Sequence, residues 1–191
     1  MKYSFRFWII VFAHGIMVAG YSISFPFLAI YLTQHKGFDI EFTGAYFSIV
    51  MLVSSLSNTF SGSLSDHMGR KKIMFYSLIT RSLFSFIIAF FMYFELNPFY
   101  ILILNFFSSL TAPGFASVSM TYISDITEES ERVSAYSILR VAGNAGWAAG
   151  PAIGDFIADI SYSLAFASSG FIFLLASILV FYFVDDVIKK K

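Results

Sequence analysis

The chain has 191 residues, 58% of them hydrophobic and 13% charged, with a formal net charge of +0 and a mean hydropathy of +0.75. Soluble domains carry about 25% charged residues, so this composition excludes an ordinary water-soluble fold, and the balanced charge offers no basic field for nucleic acid. Cysteine is absent, which excludes disulfides, thiol catalysis and Cys-ligated zinc or iron–sulfur centres.

A helix needs about 20 mainly apolar residues to cross roughly 30 Å of hydrocarbon. Six such runs follow one another, at about 7–32, 42–65, 73–94, 98–124, 137–160 and 163–184. The short alternating segments of a membrane barrel are missing. The fold class expected is therefore an all-α membrane protein, a six-helix transmembrane bundle forming one domain over residues 1–191. The first span follows Lys2 and Arg6 and continues through Tyr31 and Leu32 without a small-residue cleavage site, so it reads as a retained span, not a secretory signal. His14 lies about 10 Å into it, and a free imidazole titrates near neutral pH. It is either a hydrogen-bonded packing residue or a proton-handling one.

Between spans two and three the chain reads Gly62-Ser-Leu64-Ser-Asp66-His-Met-Gly69-Arg70-Lys71-Lys72. Gly62 permits close helix approach, Gly69 permits a tight turn, and Asp66 and Arg70 are close enough to pair at the membrane surface. The string resembles the G-x-L-[SA]-D-x-x-G-R-[RK] signature of the major facilitator superfamily, found in the same loop. The resemblance implies a conformational latch made by Gly62, Asp66, Gly69 and Arg70, in which the Asp faces a helix N-terminus of a second bundle. Span three carries Arg81 about 12 Å in, read as a snorkelling or structural arginine ahead of a substrate-contacting one. Span four is rich in small hydroxyl residues, including Ser108, Ser109, Thr111 and Ser117, which suit close helix packing, with substrate contact as the lesser alternative. It ends at Asp125, which by resemblance joins the latch. Exporters of the family often carry an arginine about 20 residues earlier, where this chain has Asn105.

Span five holds Gly146-x-x-x-Gly150-Pro151-x-x-Gly154. Glycines four residues apart make a smooth stripe for a neighbouring helix, and Pro151 weakens one helical bond. The pattern resembles the family's antiporter motif G-x-x-x-G-P-x-x-G, with Ser137 and Asp155 departing from its flanking glycines. At about 100° per residue, Arg140, Asn144, Trp147, Pro151 and Asp155 share an arc of roughly 80° on another face. Ionisable groups in hydrocarbon cost at least about 2.5 kcal/mol, so each needs a reason. Lining a wet cavity and structural pairing both remain open for Asn144 and Asp155, and Arg140 can snorkel. Asp159, Asp185 and Asp186, near span ends, read as solvated.

Lys2, Arg6, Arg70 to Lys72, Arg132 and Lys189 to Lys191 all fall on one side, and the opposite loops hold only Lys36. The positive-inside rule then places both termini in the cytoplasm, in a multi-pass protein of the cell membrane. No nucleophile–base pair, phosphate loop or metal-ligand cluster is present, so no enzyme, catalytic residue, metal or cofactor is expected. The resemblance implies half of a secondary transporter, a proton-coupled exporter of drug-like small molecules. Its candidate substrate and proton pathway is His14, Arg140, Asn144 and Asp155. Its partners are the lipid bilayer, a small-molecule substrate, protons, and a second six-helix half or a homodimer. An uptake transporter of sugars or other solutes, and a non-transporting bundle acting as an interaction module, stay open. Lys189–Lys191 resembles the start of the connector between halves, so the chain is expected to be a truncated product or a half that pairs with a partner.

Overall fold

A computed structural model describes residues 3–111 and 113–186. The topology signals at Lys2 and Lys189–Lys191 lie outside the described residues. Among the described residues all regular structure is helical, as lipid demands of a chain that must satisfy its backbone groups internally. Helix α1 spans Phe5–Ile30; the Ser4 hydroxyl accepts from the Phe7 N–H at 3.3 Å and so caps its first turn. It continues as a wider π-helical turn, Tyr31–His35. The other helices are α2 (Ile40–Met68), α3 (Arg70–Tyr93), α4 (Pro98–Thr111), α5 (Pro113–Ile126), α6 (Arg132–Ile160) and α7 (Tyr162–Phe183). Charged stretches expected to be loop are helical. Arg70 to Lys72 form the first turn of α3 and Arg132 opens α6, because a helix does not have to stop where the hydrocarbon does.

Among the described residues, five helical runs are long and apolar enough to cross a membrane: Phe5–His35, Ile40–Met68, Arg70–Tyr93, Pro98–Ile126 and Tyr162–Phe183. Helix α6 is not among them. It has the length, 29 residues, but glycines, Arg140, Asn144 and Asp155 dilute its apolar character. It belongs to the bundle through its packing along α1.

Helix α1 lies between α6 and α7, while α3 packs on α7, α4 and α5. Helix α2 is the outlier. Only 11% of its apolar stretch is buried, against 44% to 56% in the other four runs. Two apolar cores fill the bundle. One gathers Phe7, Ile10, Met74, Phe115 and Tyr122 toward the end bearing Gly69; the other gathers Leu28, Leu32, Ile88 and Ile101 toward the opposite end. Along the helices that contribute to both, Ser22, Arg81, Ser82 and Ser169 are buried between these layers. Their hydroxyls are satisfied by backbone: Ser82 donates to the Gly170 carbonyl at 2.7 Å and Ser22 to the Gly146 carbonyl at 3.1 Å.

Candidate functional site

Gly69 alone separates α2 from α3, with φ +98°, a conformation an L side chain rarely adopts. A Cβ there would also collide with the Asp186 carboxylate. The turn brings the start of α3 back against the end of α2. Arg70 is 5% exposed. Its guanidinium pairs with Asp66 at 2.6 Å and with Asp125 at 3.3 Å, and also donates to the Ser65 hydroxyl. The Ser65 hydroxyl donates onward to the Gly62 carbonyl at 2.7 Å. Asp66, Arg70 and Asp125 are thus one cluster joining α2, α3 and α5. Gly62 enters it through its carbonyl. The close helix approach expected at Gly62 does not occur among the described residues, since a Cβ built there meets nothing within 4 Å.

Two acidic residues expected to be solvated have partners at this same end. Asp185 forms an ion pair with Arg6, and Asp186 accepts from the Lys71 N–H at 3.4 Å, at the first turn of α3, where the helix dipole favours an anion.

The glycine stripe of α6 lies buried against α1. A Cβ at Gly146 would sit 2.5 Å from the Gly15 carbonyl oxygen, and one at Gly154 would sit 2.6 Å from that of Ile23. Such distances leave no room for a methyl group. Gly143 and Gly150 extend the seam against His14 and Ser22. Pro151 sits inside α6, half-buried.

A cavity of about 390 Å³ opens in the bundle, with lining residues from α1 through α6. One wall is aromatic: Tyr21 stacks on Phe25 at 4.7 Å, and Trp147 meets Tyr21 edge-on at 5.7 Å. The polar lining includes Ser54, Asn58, Asn105, Ser108 and Arg81. Asn105 accepts from the Tyr46 hydroxyl at 2.7 Å. Apolar walls with a few converging polar groups are what a small-molecule site looks like.

Of the polar face expected on span five, Trp147 lines this cavity; Arg140, Asn144 and Asp155 lie exposed on the outside of α6. His14 is half-buried between α1, α5 and α6, with Nδ1 3.3 Å from the Ser119 hydroxyl and its ring stacked on Phe115. Ser108 and Ser109, expected to serve helix packing, line the cavity.

Arg81 is expected from sequence to be a snorkelling or structural arginine. It does not snorkel: it is 7% exposed and lines the cavity. Its distance along span three was legible, but its direction depended on how α3 packs on α7.

A sequence profile of the Major Facilitator Superfamily matches residues 10–191. The chain is similar to the uncharacterized MFS-type transporter YqjV of Bacillus subtilis (strain 168), 30% identical over 134 residues, covering 70% of this chain and 32% of that protein. It is also similar to the quinolone resistance protein NorA of Staphylococcus aureus (strain N315), 24% identical over 185 residues, or 95% of this chain and 45% of that one. Among solved structures, the proton:xylose symporter XylE bound to 6-bromo-6-deoxy-D-glucose aligns with a TM-score of 0.74 at 16% identity, covering 95% of this chain and 41% of its own. The chain therefore spans less than half the length of each of these relatives.

Proposed function

The chain belongs to the major facilitator superfamily, and from that premise we propose that it is one six-helix half of a secondary transporter that exports small molecules in exchange for protons. The observation that carries this reading is the aromatic and hydroxyl-lined cavity between the helices, together with the similarity to a protein named for quinolone resistance. The setting is the cell membrane, with both termini in the cytoplasm, as the distribution of Lys and Arg suggests. The partner is a second six-helix bundle. It would cover the bare face of α2 and the exposed Arg140, Asn144 and Asp155 of α6, whose contact with hydrocarbon is otherwise expensive.

In this reading the Asp66–Arg70–Asp125 cluster is the latch. Asp66 is the member positioned to act outside the bundle, because its side chain is 58% exposed while that of Asp125 is 5% exposed. Asp66→Asn is expected to impair transport by the full transporter and leave membrane insertion unchanged. Normal transport at normal expression would reduce the loop to a topology signal.

The function is tested by reconstitution in liposomes under an imposed proton gradient, with a fluorescent quinolone as cargo. The full transporter containing this bundle is expected to give saturable efflux that collapses when the gradient is dissipated, and the bundle alone none. Saturable flux from the bundle alone would sink the half-transporter reading, and gradient-independent flux would sink proton exchange. Uptake of solutes is the second reading. It is favoured by Asn105, which stands where the export resemblance expects an arginine and is held instead by the Tyr46 hydroxyl. Gradient-driven accumulation in place of efflux would select it.

A further inference from the structure

We propose that Arg81 is the anion-recognition residue of the cavity, and that the cavity takes an aromatic small molecule carrying a carboxylate. The inference rests on the reading of this cavity as a substrate site and specifies what it binds.

A buried guanidinium ordinarily has a carboxylate beside it, because an unpaired charge removed from water is strongly disfavoured. Arg81 has no such partner among the described residues. Its Nε–H is buried without an acceptor. Among the described residues its only hydrogen-bond contact is a weak one, from Nη1 to the Met17 sulfur at 3.9 Å. No carboxylate lines the cavity among the described residues. What surrounds the guanidinium instead is aromatic: its Cζ lies 5.0 Å from the Tyr21 ring centroid and 4.6 Å from that of Phe173. Ring faces stabilise a cation without neutralising it or using up its N–H donors. The planar fork is thus held in place, charged and unsatisfied, at the wall of a cavity.

The chemistry that completes such a fork is a carboxylate, which accepts two parallel N–H bonds. The rest of the wall indicates what the carboxylate is attached to. Tyr21, which flanks the guanidinium, continues into Phe25 and Trp147, a surface suited to an aromatic ring next to the anion. Asn58 and Ser108 bring further hydrogen-bonding groups to the same space. The bland alternative is that Arg81 only rivets α1 and α7 to α3 through its two ring contacts. That role is indifferent to the charge of anything placed in the cavity.

A charge series on one ring decides between them. The chain has two tryptophans; Trp8→Phe removes the one on the outer side of α1 and leaves Trp147 as the reporter. In lipid nanodiscs, quenching of Trp147 is titrated with 4-nitrobenzoate, 4-nitrobenzamide and 4-nitrobenzylammonium. The benzoate is expected to saturate at least about tenfold tighter than the amide, the scale of a charge-assisted hydrogen bond, with the ammonium weakest. Arg81→Gln is expected to level benzoate with amide, and Arg81→Lys to retain part of the preference. If Arg81→Gln does not fold, the series on the Trp8→Phe protein still decides.

Amide or ammonium binding as tightly as benzoate, or a benzoate preference that survives in Arg81→Gln, overturns the anion site while the cavity reading stands. No saturable quenching by any of the three overturns both.

Discussion

Arg70 and Arg81 lie about three turns apart on α3, and the bundle treats them in opposite ways. Both are buried, 5% and 7% exposed. Arg70 has two carboxylates and a hydroxyl around it; Arg81 has two aromatic faces, a thioether and an orphaned Nε–H. The first is a closed electrostatic account and works as a fastener between α2, α3 and α5. The second is open, and it is open next to a cavity. Burial of a cation therefore says little about its role until its partners are enumerated.

The comparison can be broken most directly at Arg70. Arg70→Met removes the buried guanidinium that pairs with both Asp66 and Asp125, and is expected to lower stability by about 3 kcal/mol, read as a fall in the melting temperature of the detergent-solubilised protein. A charge-free yardstick comes next. Gly146→Ala forces α6 away from α1 and is expected to cost about 2 kcal/mol, measured the same way. Arg81→Met is expected to go in the other direction, holding the melting temperature or raising stability by about 1 kcal/mol, since it removes a buried charge with no carboxylate partner among the described residues. A fall as deep as that of Arg70→Met would mean that Arg81 is internally compensated, and the contrast would collapse. The smallest effect is assigned to Asp66→Asn. Its side chain is 58% exposed, and exposed pairs contribute under about 1 kcal/mol to folding, so in the proposed reading its main effect falls on transport.

What the sequence disclosed follows from what each feature depends on. The apolar runs depend only on composition and length, and Gly146, Gly150 and Gly154 depend only on helical periodicity, so both were legible. Gly69 was legible because a tight turn between two helices leaves few alternatives to glycine. The partners of Asp185 and Asp186 were not, because they arise where the end of α7 meets the start of α1 and of α3, a proximity that no local pattern encodes. Helix α6 shows how fine the limit is. The arc containing Arg140, Asn144, Trp147 and Asp155 was read as one face, yet the edge of the cavity passes through it, taking Trp147 and leaving the other three outside. Arg81 shows the same limit on α3. Depth is a property of sequence position, whereas direction is decided by neighbouring helices.

The glycine seam has a mechanical consequence. Where side chains separate two helices, rotamer changes let them slide or tilt against each other. Between α1 and α6 the backbones approach directly at Gly15, Ile23, Gly146 and Gly154, with the side chains of His14, Val18, Ser22 and Phe27 standing in the seam between them. The pair is expected to move as one unit, carried through the same angle if the bundle rocks. Spin labels placed one on each helix would hold a single narrow separation through a transport cycle. A label on α2, which is bound to the rest by far less buried surface, would show broad or shifting distances to either.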